Sequence, residues 1–304
     1  MRTISFFSYK GGSCRSTTAY NTIPFIARDL GATENEPIII IDTDIDSAGM
    51  TLLLEQQNDL RGTVDELIIE AEDIEGHNAD PEQLGIDRHP FFRKMSKVGR
   101  KFALADGTVR LLGSSTAGGK GELSHMEDNL ETIKKLCAAY NCRAIIFDTP
   151  SGTQFAARRS INASDTVVVC MRPTYQFRTG TKEFLMGEHD HGGKRRYLIC
   201  PTAVSLRESV ILRSRYPQDI KGKIEEEVVN PVNQSFEQGR HKLIDGLLER
   251  AEGSMLVGIP EVERFKWSES CLYQLLTDNI DDLNADDTMA IERYELLSRL
   301  ICEQ

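Results

Sequence analysis

The chain has 304 residues, a formal net charge of −11 and 40% hydrophobic residues. This composition is typical of a soluble globular protein with one large α/β domain, and the negative charge disfavours a dedicated nucleic-acid binder. No apolar run approaches the ~20 residues that span a bilayer, and the seven cysteines include no C-x-x-C pair, so we expect a cytoplasmic protein with reduced thiols.

Short apolar runs predict the β-strands. In chain order they cover residues 3–8, 37–42, 108–113, 143–148, 166–171, 197–200 and 255–260. Because most residues in these runs are apolar without alternation, both faces of the sheet should be covered. That pattern indicates a parallel sheet between layers of helices.

Helical patterns fall between the strands. Residues 16–30 follow the first strand, and Pro24 inside them predicts a kink. Residues 63–73 begin with a capping box, Thr63 with Glu66, and residues 122–140 carry apolar side chains at helical spacing. The alternation predicts a doubly wound, mostly parallel α/β sheet with helices on both faces.

We predict a single domain over residues 1–304, with an irregular insertion at 55–107 and a helical carboxy-terminal part at 203–304. A turn at 105–107 between two apolar runs predicts a hairpin. The last helix carries an apolar stripe, and its polar face holds three Glu against two Arg. We therefore expect it to pack on the domain, without stable membrane insertion. The stripe comprises Ile291, Tyr294, Leu297, Leu300 and Ile301.

The segment SYKGGSCRSTT, residues 8–18, predicts a phosphate-binding loop. It joins a strand to a helix, so backbone N–H groups and the helix N-terminus can face an anion. Aligned with G-x-x-x-x-G-K-[ST], the loop has Tyr9 and Cys14 at the glycine positions and Arg15 at the lysine position. The predicted nucleotide-binding residues are Lys10, Gly11, Gly12, Ser13, Cys14, Arg15, Ser16 and Thr17.

Two acidic segments follow other predicted strands. Asp42 and Asp44 lie in IIIIDTDIDSAGMT, and Asp148 lies in IIFDTPSGT. With the loop K-G-G-x-x-[KR]-[ST], these segments resemble the ParA/MinD-type P-loop ATPases with a deviant Walker A motif. The subgroup with K-G-G-V-G-R-[ST] loops is the most similar, and Arg15 agrees with that subgroup while Cys14 departs from it.

The resemblance implies the P-loop fold, the cofactors ATP and Mg²⁺, and a role for each charged residue. Lys10 would reach across a nucleotide-dependent homodimer to the partner's phosphates, Asp44 would position the attacking water, and Arg15 would neutralise the separating γ-phosphate. These three form the predicted catalytic set. The predicted metal set is Ser16, whose hydroxyl would bind Mg²⁺, with Asp42 and Asp148 in its outer shell.

Two functions follow from this resemblance. The first is an ATP-dependent dimer switch with slow hydrolysis that positions a partner or cargo, such as DNA, secretion or pilus machinery, or a signalling or defence protein. The alternative is a degenerate scaffold that binds nucleotide without turnover, because a side chain at Cys14 costs ~1–2 kcal/mol in a left-handed backbone. A kinase is disfavoured, since Tyr294 is the only tyrosine among the last thirty residues.

Other polar clusters are interpreted as surface features. A basic run predicts a solvated face and leaves non-specific DNA contact as an alternative; it includes Arg93, Lys94, Lys97, Arg100 and Lys101. The segment His189-Asp190-His191 predicts an exposed loop rather than a metal site.

Overall fold

A computed structural model describes residues 1–54, 63–64, 85–114, 126–188, 195–205, 216–237, 244–247, 258–268, 270–278 and 280–303. Several predictions concern residues outside these ranges. They are most of the helix at 63–73, including Glu66, most of the insertion before residue 85, and the loop His189-Asp190-His191.

An eight-stranded sheet forms the centre of the described structure, in the order β3-β4-β2-β5-β1-β6-β7-β8. Only β3 runs antiparallel to its neighbour; the other pairings between these strands are parallel. The strands are β1 Arg2–Phe7, β2 Ile38–Asp42, β3 Ser96–Lys97, β4 Val109–Leu112, β5 Ala144–Asp148, β6 Thr166–Met171, β7 Arg196–Pro201 and β8 Ile244–Leu247.

The mostly parallel α/β sheet confirms the predicted fold class, and six predicted strands are confirmed. The short edge strands β3 and β8 were not predicted, and β8 lies inside the segment predicted as helical. Of the predicted strand 255–260, residues 255–257 lie outside the described ranges. Pro260 forms an isolated bridge with Val204 rather than part of a strand.

Helices connect the strands, and α1 runs without a break through Pro24. A π-helical turn, Glu225–Val229, joins α7 to α8. The described helices are α1 Arg15–Asp29, α2 Gly49–Leu53, α3 Pro90–Arg93, α4 Met126–Ala139, α5 Phe155–Asn162, α6 Tyr175–Gly187, α7 Tyr216–Ile224, α8 Asn230–Glu237, α9 Leu272–Asp278 and α10 Ala285–Cys302.

The hairpin predicted around residues 105–107 is wrong in its tight turn and its first strand, although two antiparallel strands do flank this segment. Both Gly99–Phe102 and Asp106–Thr108 are 3₁₀ turns, and the antiparallel partner of β4 is β3. The chain folds so tightly here that a Cβ atom on Gly99 would lie 1.9 Å from the carbonyl oxygen of Ala105. This compact loop replaces the first strand of the expected hairpin, whereas the second strand is present as β4.

The core lies on both sides of the sheet, as the apolar strands predicted. On one side, α1 and α10 pack against β1, β2 and β5, and the apolar stripe of α10 is buried at Tyr294, Leu297 and Ile301. On the other side, α4 packs against β2 and β5, and α6 packs against β6 and β7. The prediction that α10 packs on the domain is confirmed. Among the helices described, none has the length and apolarity to cross a bilayer.

Candidate nucleotide-binding site

The loop between β1 and α1 has the backbone conformation of a tight turn. Gly12 has φ of 79°, and Cys14, the residue before α1, has φ of 57° and ψ of 28°. Both residues lie in the left-handed region, which favours glycine because it lacks Cβ. The structure therefore places Cys14 at a position where a side chain costs about 1–2 kcal/mol.

Hydrogen bonds from the segments after β7 and β5 hold this loop. Thr202, directly after β7, donates its hydroxyl to the carbonyl oxygen of Ser13 at 2.6 Å. Gly152, after β5, donates its backbone N–H to the carbonyl oxygen of Ser8 at 2.9 Å. Thr202 was not predicted as part of the site, because only the folded sheet brings β7 next to the loop.

A cavity of about 370 Å³ lies in front of the loop. Residues 11–17 all line it, together with Asp44, Ser47 and Gly49. Seven of the eight predicted nucleotide-binding residues therefore surround one cavity. Lys10 points elsewhere: it is exposed, and its Nζ donates to Oε1 of Gln176 in α6 at 2.8 Å.

Arg15 connects Asp44, which lines the cavity, to Asp148, which is buried behind it. Its Nε lies 2.8 Å from Oδ1 of Asp148, and its Nη2 lies 2.8 Å from Oδ2 of Asp44. Although burial opposes the charged form, Asp148 and Asp44 hold the pKa of the guanidinium above its usual value. Breaking a buried ion pair by removing one partner typically costs about 3–5 kcal/mol, so these contacts fix Arg15 firmly.

Ser16 lies beside this ion-pair cluster. Its Oγ accepts a hydrogen bond from Nη2 of Arg15 at 3.2 Å. Asp148 is fully buried, and its second carboxylate oxygen, Oδ2, makes no hydrogen bond within the described residues. A hydroxyl and carboxylate oxygens are ligands that Mg²⁺ prefers. Ser16 and Asp148 thus fit a magnesium site, with an unsatisfied buried oxygen available.

Asp42 lies behind this cluster, at the end of β2 and opposite Asp148 in the strand register. Its Oδ2 accepts hydrogen bonds from the backbone N–H and the hydroxyl of Thr51, both at 2.8 Å. Its Oδ1 accepts from the N–H of Asp44 at 3.2 Å. Burial, with the nearby charge of Asp148, raises the pKa of Asp42 to about 7. Asp42 therefore fixes the start of α2 and the turn that carries Asp44.

Gly49 is a site residue that was not predicted. A Cβ atom at this position would lie 2.8 Å from Oγ of Ser16 and 3.7 Å from Oδ2 of Asp148. The available signal was its position seven residues after Asp42 in the acidic segment. Only glycine allows α2 to approach Ser16 this closely.

The basic run is far from the loop in the topology. Arg100 and Lys101 follow β3 beside the amino-terminal end of β4, whereas the loop lies at the carboxyl ends of the parallel strands. Two of its charges are paired with acidic residues: Lys97 with Asp87 at 3.0 Å, and the exposed Arg100 with Asp106 at 3.7 Å. These residues form a partly neutralised surface at the opposite edge of the sheet.

Comparison with solved structures identifies the fold. The chain is similar to MinD in a MinC:MinD cell division complex from Aquifex aeolicus, with 14% identity, coverage of 100% of this chain and 97% of that chain, and a TM-score of 0.61. A ParA family ATPase from Chlorobium tepidum gives 12% identity, coverage of 96% and 98%, and a TM-score of 0.60. MinD from Pyrococcus horikoshii, complexed with Mg-ADP, gives 15% identity and a TM-score of 0.56, with coverage of 99% of this chain and 95% of that chain.

The sequence itself matches no protein-family model and no curated protein. At these identities the structural likeness establishes the fold alone. The chain has the α/β fold of MinD and ParA-family P-loop ATPases, as the sequence predicted.

Proposed function

We propose that this chain binds ATP with Mg²⁺ and acts as a nucleotide-dependent dimer switch that positions a protein partner or cargo. The observation that carries this proposal is the convergence of Arg15, Ser16 and Asp44 at one cavity beside the loop, with Asp148 buried behind them and bonded to Arg15. The fold supports the same conclusion, because structural neighbours include a MinD complexed with Mg-ADP.

The loop and the acidic residues beside it have separate roles in this proposal. Backbone N–H groups of residues 11–17 bind the phosphates, helped by the N-terminus of α1. The hydroxyl of Ser16 and the carboxylate of Asp148 hold Mg²⁺, which supplies positive charge beside the phosphates when bound. Asp44, with Ser47 donating to its Oδ2 at 2.5 Å, positions water for attack on the γ-phosphate. Hydrolysis to ADP and phosphate is slow.

Lys10 acts on the partner chain in this proposal. It is exposed, does not line its own cavity and contacts only Gln176 in the hydrogen bonds described above. A lysine in this position can therefore turn toward the phosphates of a second copy, as the resemblance implies. Release of the γ-phosphate would remove its target, and the dimer would separate.

The cargo is proposed as a protein in the cytoplasm. A MinD neighbour is seen in complex with MinC, and the acidic net charge here disfavours DNA as the main target. Non-specific DNA binding through the basic run is the alternative to a protein cargo. It would depend on Arg93, Lys94, Lys97, Arg100 and Lys101, and would weaken steeply with salt.

A nucleotide-binding scaffold without turnover is the second candidate. Two observations favour it: the left-handed backbone at Cys14, and the ion pair that engages Asp44 with Arg15. A carboxylate held by a guanidinium is less available to orient water. This candidate predicts nucleotide binding and dimerisation without phosphate release.

The test combines phosphate release and molar mass in one sample. Purified protein receives Mg²⁺ and ATP, and light scattering reports the dimer while a coupled assay reports phosphate. The variants are Lys10→Ala, Asp44→Ala and Gln176→Ala. Gln176→Ala is the matched control, because it removes the contact of Lys10 within the chain and keeps its charge.

Under the switch proposal, wild type and Gln176→Ala dimerise with ATP and release phosphate slowly. Lys10→Ala stays monomeric, and Asp44→Ala dimerises without release. Dimerisation of wild type without any release selects the scaffold instead. A Lys10→Ala protein that dimerises as well as wild type would show that the lysine does not act across the interface.

A further inference from the structure

The guanidinium of Arg15 is bound by three groups that are also suited to a divalent cation. Its Nε contacts Asp148, and its Nη2 contacts both Asp44 and Ser16, at 2.8, 2.8 and 3.2 Å. Arg15 is 8% exposed and the side chain of Asp148 is 0% exposed. The single positive charge of the guanidinium thus contacts the residues that could otherwise bind Mg²⁺, and it partly neutralises their carboxylates.

The two cations cannot both keep these contacts. A cation bound to Ser16 and Asp148 would lie beside the guanidinium, and like charges repel strongly where water is excluded. Space is also limited, since Gly49 lies so close to Ser16 that a Cβ atom would be 2.8 Å from its hydroxyl. Binding of the divalent cation therefore requires Arg15 to move away.

The guanidinium of Arg15 gains another anionic partner only when phosphate is bound in the cavity. Arg15 is the first residue of α1 and lines the cavity with the loop N–H groups, so a bound phosphate would attract the guanidinium. If Arg15 moved without a replacement cation, Asp148 and Asp44 would remain buried and unpaired, which is unfavourable. Phosphate therefore removes the charge repulsion that opposes the divalent cation. The cation in turn removes the cost of leaving the carboxylates unpaired when Arg15 moves to the phosphate.

We propose that Arg15 and a divalent cation compete for Asp44, Asp148 and Ser16, so that the cation binds this chain only together with a nucleotide. The inference rests on the proposed nucleotide site and adds its regulation. The arginine excludes metal from the carboxylates until phosphate draws it away. Because coupling free energies are reciprocal, nucleotide also binds poorly without the divalent cation.

The test measures metal binding in the absence of nucleotide. Mn²⁺ is titrated into wild type, Arg15→Gln and Arg100→Gln, and free Mn²⁺ is followed by electron paramagnetic resonance. Arg100→Gln is the matched control, since it removes a guanidinium that is exposed, pairs with Asp106 and does not contact these carboxylates. We expect Arg15→Gln to bind Mn²⁺ at least about tenfold more tightly than the other two. Mg²⁺ should displace Mn²⁺ from Arg15→Gln. The double variant Arg15→Gln with Asp148→Asn should not bind Mn²⁺ at this site.

Equal Mn²⁺ affinity of wild type and Arg15→Gln would overturn the competition. In case Arg15→Gln does not fold, the Nε–H signal of Arg15 is followed by NMR in wild type, with Arg15→Lys to identify the signal. Millimolar Mg²⁺ alone should leave this signal unchanged, and Mg²⁺ with ADP should shift it. A shift with Mg²⁺ alone, or none when ADP is bound, contradicts the proposal.

The two proposals fail in different ways. ADP binding is recorded in the same NMR sample by a change in the nucleotide signals. If ADP does not bind at all, the proposed function is wrong, but the Mn²⁺ titration uses no nucleotide and still decides whether Arg15 excludes metal. If ADP binds and Mn²⁺ affinity does not depend on Arg15, only the competition is wrong.

Discussion

The ring of Tyr9 lies directly against the backbone of Gly180 in α6. A Cβ atom at position 180 would stand 2.1 Å from both Cδ1 and Cε1 of the ring. Tyr9 precedes Lys10, and Lys10 bonds to Gln176, four residues before Gly180. Helix α6 therefore holds the start of the loop between β1 and α1 by two adjacent contacts.

We expect Gly180→Ala to destabilise the protein by about 1 kcal/mol, because overpacking costs ~2 kcal/mol at mid-range and alanine returns ~1 kcal/mol of helix propensity. Urea unfolding measures the change. The control is the same substitution in a Tyr9→Ala protein, where the clash is absent and alanine should be neutral or stabilising. Equal effects in both backgrounds would mean that Tyr9 is not the obstacle.

The backbone at Cys14 gives a second prediction. Cys14→Gly should stabilise the protein by about 0.5–1 kcal/mol, because relief of left-handed strain exceeds the entropy cost of glycine. It should also strengthen nucleotide binding, since the loop N–H groups can then approach phosphate more closely. Thermal unfolding and fluorescence titration with a labelled ATP analogue measure the two effects.

Ala103 provides the control for that variant. It has φ of 53° and is exposed near β3, at the sheet edge opposite the loop. Ala103→Gly should give a similar gain in stability with unchanged nucleotide affinity. If Cys14→Gly alters stability but not affinity, the strain at Cys14 has no bearing on the site.

Local patterns explain why much of this structure could be predicted from the sequence. Unbroken apolar runs predicted the parallel strands, and the order strand, glycine-rich turn, helix predicted the loop. The comparison with a loop consensus also identified Cys14 as a residue in a glycine position, and its φ of 57° agrees. Each of these signals lies within about twenty consecutive residues.

Contacts between distant segments could not be predicted in this way. The ion pair of Arg15 with Asp148 spans 133 residues, and the hydrogen bond of Thr202 to Ser13 spans 189. The family resemblance placed Arg15 and Asp148 at one site but predicted no ion pair between them, and no sequence signal pointed to Thr202, because the sheet order brings these segments together. The close approach of Gly49 to Ser16 is a steric fact of the same kind.

Gly49 therefore provides the third prediction. Gly49→Ala should displace the hydroxyl of Ser16, since the new Cβ would lie 2.8 Å from its Oγ and 3.4 Å from its Cβ. We expect the gain in nucleotide affinity on adding Mg²⁺ to fall by about tenfold or more, a loss of ~1.4 kcal/mol in coupling. Titrations of an ADP analogue with Mg²⁺ and with a chelator measure this difference.

Gly222 in α7 is the control, because a Cβ there meets nothing within 4 Å. Gly222→Ala should leave the Mg²⁺ effect unchanged and stabilise the helix slightly. An unchanged Mg²⁺ effect in Gly49→Ala would remove Ser16 from the proposed metal site.

Asp42 predicts how stability depends on pH. Burial, with the charge of Asp148, raises its pKa to about 7 in the folded protein, against ~3.9 for an unfolded aspartate. The folded state then binds the proton more tightly, so this residue lowers the free energy of unfolding as pH rises from about 4 to about 7. Relative to Asp42→Asn, wild type should lose ~1–3 kcal/mol between about pH 5 and pH 8.

Asp87→Asn is the control that separates this effect from a pH dependence shared by all aspartates. Partial burial acts to raise its pKa, but hydrogen bonds from Lys97 and Arg110 hold that pKa below its usual value. Asp87 is therefore ionised in both the folded and unfolded states above about pH 5, and the stability difference between wild type and Asp87→Asn should be independent of pH. Urea unfolding at several pH values compares the variants. A flat difference for Asp42→Asn as well would show that Asp42 is ionised in the folded protein throughout, with its charge balanced by Thr51 and the surrounding N–H groups.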